Sequence, residues 1–546
     1  MNRSIVFALI VIASGILFFI PFLGNVHLFD WDEINFAESA REMIVTGDYS
    51  RVQINYMPFW EKPPLFFWLQ AVSMNIFGIN EFAARFPNAI TGIITLITFF
   101  LIGKKLNGEQ FGFIWALSYL GSFLPHLYFK SGIIDPVFNY FIFISIYFLF
   151  ECFQETANKK SLIYALLSGT SVGLAVLTKG PVALLIIFIC IVVYWIISKF
   201  SKLTSLRNIF VFTAAIIIVS MLWFGMEVIN NGVWFIREFV DYQVNLFRTP
   251  VAGHQGPVYY HFLVVFLGCF PMSVMAIPFL FRFTDKSNGA AFTFNKFMLI
   301  LFWSVLVLFT IVKTKIIHYS SLSYFPLSFI AAVYLHEAIQ KRMFGRYLII
   351  LLVITGTIFS FILFAVPLVF NNKEIVLPYI TDPFAAACLN TYVNWSNLDY
   401  LAGLIYYISL IVAVIIISRK RIFAGVMILF YATAFCLFFY LASVVPKIEK
   451  YTQAPAVNFY ESLKGKDVYV RPVGFKSYAH FYYFGKMPRV VNEPDENRLL
   501  YGKIDKPAYF VAKVTKRDFF DKIPECKLIG QEGGFLFYVR MPDPGY

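Results

Sequence analysis

Residues 84–103 read ARFPNAITGIITLITFFLIG: one charge, Arg85, then eighteen uncharged residues closed by Lys104-Lys105. A helix of about twenty residues is roughly 30 Å long, the thickness of a bilayer's hydrocarbon core. Working outward, similar runs recur near 5–24, 64–78, 111–129, 132–150, 161–178, 181–198, 208–229, 258–281, 297–313, 317–338, 347–369, 399–417 and 422–444. Segment 64–78 is short and a brief polar turn separates it from 84–103, so 64–103 reads as one segment that enters at the surface and continues into a single crossing. The expected fold is a polytopic α-helical membrane protein with about 13 transmembrane helices.

Composition agrees with that reading. Of the 546 residues 59% are hydrophobic and only 14% charged, with a mean hydropathy of +0.70, whereas a soluble domain carries roughly a quarter charged residues. The net charge is +13, but the basic residues sit singly or in pairs between apolar runs. A nucleic-acid surface needs them clustered on a polar face, so nucleic acid is excluded and the bilayer is the expected partner. The six cysteines form no CxxC pair, so neither a zinc site nor a disulfide framework is legible.

Charge also orients the chain, because cytoplasmic loops concentrate Lys and Arg. Within residues 1–445, alternation of the spans puts seventeen Lys and Arg but five acids on one side, and eleven against fifteen on the other. The expectation is an integral plasma (inner) membrane protein with a cytoplasmic N-terminus. Its outer surface is built from loops 25–62, 230–257 and 370–398. From Pro446 the composition changes to short alternating runs such as DVYVRPV and AYFVAKV between turn residues, the pattern of strands. Two regions follow: a transmembrane catalytic domain over 1–445 and a small extracytoplasmic C-terminal α/β domain over 446–546.

Chemistry gathers on the outer side. Asp30-Trp31-Asp32-Glu33 leads into apolar residues at helical spacing (Phe36, Ala37, Ala40, Met43, Ile44), so 33–44 reads as an amphipathic helix in the membrane interface with Asp32 and Glu33 at its N-terminus. An acid cap would suit a helix start without any function. Further acids and bases share that side, however. Trp60-Glu61-Lys62-Pro63-Pro64 stands at the lip of an apolar run, and Asp135 opens a span, where a carboxylate is costly without a cavity or partner. Lys179-Gly180-Pro181, Arg248 to His254, and Lys313-Thr-Lys315-Ile-Ile-His318-Tyr319 follow. Each alone could be an interfacial anchor.

Taken together, Asp32-Glu33-x-x-Phe-Ala-Glu38-x-x-Arg41-Glu42-Met, Glu61-Lys62-Pro63-Pro64-Leu, Asp135-Pro136, Thr-Lys179-Gly180-Pro181 and Lys315-x-x-His318-Tyr319 resemble the bacterial branch of the protein O-mannosyltransferase superfamily, which includes the lipid A aminoarabinose transferases. The resemblance implies a GT-C glycosyltransferase that moves a sugar from a polyprenyl-phosphate donor to a lipid or protein acceptor at the extracytoplasmic face. It implies Asp32 as the loop acid, Asp135 as the acid of the second outer turn, Glu61 and Lys62 as the Glu-Lys pair and Tyr319 as the phosphate-contacting tyrosine; the charges on the outer side add Glu33 as a catalytic acid and Arg248, His254 and His318 as phosphate ligands. Asp32 is the expected base, Asp135 an orienting or second acid and Lys62 the leading phosphate ligand. The sequence identifies no cofactor with certainty; Glu61 with His254 or His318 would offer ligands to a divalent metal. Two departures stand out: Asn35-Phe36 where the aminoarabinose transferases usually have Arg-Tyr, and Asn245 where they have an arginine, leaving Arg248 one turn away. The sugar or acceptor could therefore differ from theirs. The rival class is a transporter or lipid flippase, which predicts paired halves with broken helices; no half-to-half repeat is visible.

Overall fold

The computed structural model describes residues 3–155, 158–248, 255–283, 290–488 and 494–543. The chain is mostly helical. Among the described residues nine helices are long and apolar enough to cross a membrane, ten if one sharply bent pair is a single span, and three shorter helices are also apolar. In chain order the elements that matter here are α1 (Arg3–Phe19), α2 (Asp32–Thr46), α3 (Leu65–Phe77), α4 (Glu81–Asn107), α5 (Glu109–Leu120), α6 (Phe123–Tyr128), α7 (Asp135–Gln154), α8 (Lys159–Lys179), α9 (Val182–Ile197), α10 (Leu206–Asn231) and α11 (Trp234–Arg248).

Several expectations change. Segment 64–103 is two helices, because Gly78 takes φ +81° and Asn80 caps the next helix by accepting a hydrogen bond from Ala83 N. Such a left-handed glycine ends a helix readily. The run 111–129 is broken after Leu120 into α5 and α6, and 258–281 bends by 106° between Tyr260–Gly268 and Met272–Phe279. Loop 230–257 contains helix α11, and loop 370–398 is partly helical.

The largest correction concerns α2, which does not lie on a membrane surface. From Glu33 to Met43 every residue is buried. Ile34, Ala37 and Ala40 share a core with Ala71 and Met74 of α3, with Ala83 and Ala84 of α4, and with Val457, Tyr460, Val511 and Phe537 of the C-terminal residues. Its charges are neutralised inside the protein. Arg41 pairs with Glu38 through two bonds of 2.7 Å and donates to Lys486 O, while Glu42 accepts from Tyr56 N at 2.8 Å. Charged side chains can be buried when they are paired in this way.

After residue 446 four strands form one sheet. In the order β1 (Tyr469–Val473), β2 (Ala508–Lys513), β4 (Phe535–Arg540), β3 (Cys526–Glu532), the first pair is parallel and the others antiparallel. Side chains alternate between its faces. Val511, Phe535 and Phe537 face the core shared with α2, whereas Phe510, Leu536 and Tyr538 pack on Leu499, Leu500 and Phe520. The sheet therefore supports α2 from behind, and α2 in turn presents its N-terminus to a cavity.

Candidate active site

A cavity of about 560 Å³ opens at the end of the bundle where α2, α7 and α11 begin or lie and α8 ends. Its wall includes Asp32, Glu33, Glu61, Lys62, Asp135, Lys179, Tyr242, His318 and Tyr319. Residues spread over almost three hundred positions are brought together because span ends, not span centres, carry the charges.

Helix α7 starts at Asp135, and α8 ends at Lys179, whose Nζ lies 2.5 Å from Asp135 Oδ1. Asp135 is buried and Lys179 half-buried, so the pair is a fixed, charge-assisted contact. Lys179 also stands 5.2 Å from the ring centroid of Tyr319, within cation–π range. Pro181 and left-handed Gly180 end α8 at that point. Opposite, Asp32 at the start of α2 is half-buried and has His318 Nε2 3.5 Å from its Oδ2.

Glu61 and Lys62 precede α3, where Pro63 and Pro64 fix the chain direction. Tyr242 of α11 donates to Glu61 Oε2 at 2.6 Å, and Gln243 donates to the Glu61 carbonyl at 3.3 Å. Burial, with the Glu61 carboxylate beside it, pushes the Tyr242 phenol well up, so it remains a donor. Lys62 lies 5.7 Å from the Tyr242 ring centroid, but its Nζ makes no hydrogen bond or ion pair among the described residues. Burial, then the charge of Lys179, pulls Lys62 below the usual lysine range, against Glu61, Asp32 and Asp135. An unsatisfied cation in a cavity wall is costly unless a ligand meets it.

Glu33 behaves differently from its neighbour. Its Oε1 accepts from Arg85 Nε at 3.0 Å and from Gly132 N, and its Oε2 from Arg85 Nη2 at 2.7 Å and Phe29 N at 2.9 Å. All four lone-pair sites of the carboxylate are occupied. Burial pushes the Glu33 carboxyl up, but Arg85 and these hydrogen bonds outweigh it and hold the group below the usual range. Glu33 locks α2 to α4 and cannot readily take a proton from a substrate.

Of the other expected ligands, the side chain of Arg248, at the end of α11, and all of His254 lie outside the described residues. The ligand set Glu61 with His254 is thus not described either; Glu61 is held by Tyr242 and His318 stands against Asp32. Among the described residues the set close enough to share a cation is His27, Glu81 and Glu461, away from this cavity. Sequence reasoning passed over Lys179 as a site residue although its Lys-Gly-Pro context was legible, and it missed Tyr242, which sits in an amphipathic helix with no motif around it. Asn35 and Phe36 both line the cavity, and Asn35 Oδ1 has no hydrogen-bond partner.

Known proteins resemble this chain in sequence and in fold. Residues 61–224 match the family described as dolichyl-phosphate-mannose-protein mannosyltransferase. An undecaprenyl phosphate-α-4-amino-4-deoxy-L-arabinose arabinosyl transferase of Proteus mirabilis is 25% identical over 381 residues, covering 68% of this chain and 67% of the relative. Among solved structures, ArnT from Cupriavidus metallidurans bound to undecaprenyl phosphate superposes with a TM-score of 0.78 at 16% identity, over 99% of this chain and 98% of that one. The archaeal oligosaccharyltransferase AglB from Archaeoglobus fulgidus gives 0.51 at 9% identity, over 94% and 70%. The fold is that of ArnT. The chain is similar to GT-C glycosyltransferases of the protein O-mannosyltransferase superfamily, as the motifs implied.

Proposed function

We propose that this protein, with an ArnT-like fold and a charged cavity at one end of its bundle, is an integral-membrane glycosyltransferase that uses a polyprenyl-phosphate-linked sugar. The observation that carries the reading is Lys62, a cation set in the cavity wall with no hydrogen bond or ion pair among the described residues and flanked by Lys179, Asp32 and Asp135. Two lysines suit a phosphate, and carboxylates suit a proton and a developing positive charge.

In this mechanism the bond between the anomeric carbon and the phosphate oxygen breaks, and its electron pair leaves on the phosphate. Lys62 and Lys179 meet that charge, while Asp135 holds Lys179 in place through their 2.5 Å contact. The acceptor hydroxyl forms the new bond to the anomeric carbon and gives its proton to Asp32, a role worth roughly 10²–10⁴ in rate. His318, 3.5 Å from Asp32, orients that carboxylate, and Tyr319 frames Lys179. The neutral amide of Asn35 is placed to bond a sugar hydroxyl.

The same reading sets residues 1–445 as the transmembrane catalytic domain, with thirteen crossings and a cytoplasmic N-terminus, and 446–546 as the extracytoplasmic α/β domain. The seventeen-to-five excess of basic over acidic residues on one side of the alternation supports it. The sugar is a pentose or hexose and the acceptor a lipid, lipid A-like, in preference to a protein, as in the transferases it resembles. None of the matched proteins favours the transporter reading.

The test uses purified full-length protein with radiolabelled polyprenyl-phosphate sugars and lipid acceptor. Wild type transfers label and Asp32→Asn, expressed and folded to the same extent, does not. Unchanged transfer by Asp32→Asn sinks the base assignment; no transfer by wild type from any such donor sinks the reading itself.

A further inference from the structure

The end of the bundle opposite the charged cavity holds a second cavity of about 570 Å³, bounded by α7, α8, α9, α10 and the segment 198–205 between the last two. Cys152, on its wall, is seventeen residues along α7 from Asp135, which puts the two cavities roughly 26 Å apart. The interior is apolar, with Leu149, Ala165, Ile191 and Phe212 among its lining. Its one polar corner is satisfied internally: Asn208 Nδ2 donates to Thr204 Oγ1 at 2.8 Å and to Ser161 Oγ at 3.0 Å. No acidic residue lines it.

The rim is different. Lys202 lines the mouth, Lys199 and Arg207 flank it in the segments that bound the cavity, and these three, with Lys159 and Lys160 at the start of α8, are exposed and make no ion pair among the described residues. Trp195 and Phe200 stand beside them, 44% and 63% exposed, with ring centroids 5.0 Å apart in an edge-on arrangement. Aromatic rings and cations at one level are what the headgroup layer of a membrane selects, and an apolar cavity of this size facing a bilayer is poor lodging for water.

We infer that this cavity is a binding site for one anionic phospholipid, its acyl chain inserted among α7, α8, α9 and α10 and its phosphate held by Lys199, Lys202 and Arg207. The lipid is an occupant on the side away from the charged cavity, and the inference rests on the chain spanning a membrane, not on glycosyl transfer. Charge complementarity selects the lipid: an unpaired cationic rim over an apolar interior matches a molecule with an anionic head and a long hydrocarbon tail.

Full-length protein in neutral detergent is titrated with phosphatidylglycerol, with phosphatidylcholine of the same acyl chains, and with glycerol phosphate. Bound lipid is counted by native mass spectrometry and thermal unfolding is followed in parallel. One phosphatidylglycerol binds at least tenfold more tightly than phosphatidylcholine and raises the unfolding temperature; glycerol phosphate does neither. Combining Lys199→Glu, Lys202→Glu and Arg207→Glu removes the preference, and Ala165→Trp, which fills the interior, removes the bound lipid. If Ala165→Trp fails to fold, the three rim substitutions, all on exposed residues, still decide the matter. Asp32→Asn binds the lipid as wild type does, which separates this result from the proposed activity. Equal binding of the two lipids, an equal effect of glycerol phosphate, or an unchanged preference in the rim variant overturns the inference.

Discussion

Lys130, Lys315 and Lys62 are all drawn into the protein, and they meet two different fates. Lys130 donates to the carbonyls of Phe18, Phe19 and Pro21 at 2.6–3.4 Å, and Lys315 to those of Phe309, Thr310 and Val312 at 2.6–3.0 Å. Each closes the end of a helix whose last carbonyls have no intrahelical donor. Lys62 meets no such group. The acids divide in the same way: Glu33 has its full set of four donors, while Asp32, one residue earlier, has a histidine 3.5 Å away. Lys130, Lys315 and Glu33, each fully engaged, form a collar that holds the helix ends in register. Lys62 and Asp32 face the cavity with bonding capacity to spare, which a ligand can take up. The collar and the cavity wall should therefore respond oppositely to substitution, the first in stability and the second in activity.

The largest effect belongs to the collar. Glu33→Gln removes the negative charge from Arg85 and leaves a buried guanidinium uncompensated, a change that costs roughly 3–5 kcal/mol. Thermal unfolding of the purified chain should show a large loss, and a Glu33→Gln protein as stable as wild type would dissolve the distinction. Next comes Lys62→Met, expected to lower kcat/KM by about 10²–10³, the cost of one lost charge-stabilising donor, with unfolding temperature unchanged or slightly raised. A variant with normal turnover, or one that simply unfolds, would move Lys62 from the wall to the collar.

How far this division was legible in the sequence depends on what each residue needed in order to be placed. Asp32, Glu61, Lys62, Asp135, His318 and Tyr319 were readable because a charge at the edge of a long apolar run is conspicuous, and all of them line one cavity. The apolar runs themselves mark the helices for the same reason. Glu33 and Asp32 look alike in the sequence, two consecutive acids in a first helical turn; only Arg85, fifty-two residues on, separates them. Helix α2 was placed in an interface because its charges were assumed to meet water, whereas Glu38 and Arg41 satisfy each other inside the core. The helix breaks near Gly78 and after Leu120 depend on local turns that hydropathy averages away. Tyr242 needs its helix folded against Glu61 before it acquires a role.

A smaller collar effect is expected at Lys130. Lys130→Met keeps the length of the side chain but strands three carbonyls at the end of α1, and leaving buried acceptors unpaired costs roughly 1–3 kcal/mol. Sugar transfer at low temperature should persist, since Lys130 is not among the residues that line the cavity. Loss of turnover in a Lys130→Met protein of normal stability would extend the reactive wall beyond the residues identified here.

The smallest effect is a dependence on pH that reports on the collar alone. His27 Nδ1 lies 2.6 Å from Glu449 Oε1, joining the chain after α1 to the segment before the sheet. Burial lowers the His27 pKa, but the Glu449 hydrogen bond and charge outweigh it, so the folded value stands above the ordinary 6.5. That contribution is full below about pH 6.5 and disappears as pH rises through the folded value. Glu42 runs the same way. Burial, with Glu38 beside it, pushes its carboxyl up to about 8, so the stability gained from its protonated form is present below 4.5 and is lost as pH rises to 8. Between pH 6.5 and 9 stability, followed by the unfolding temperature, should therefore fall by about 2 kcal/mol, most of it from Glu42 between pH 6.5 and 8. Glu42→Gln, which stays neutral, should lose less than wild type over that interval, and His27→Asn should flatten its first part. An unfolding temperature that rises across the interval would show that neither group is held as the collar requires.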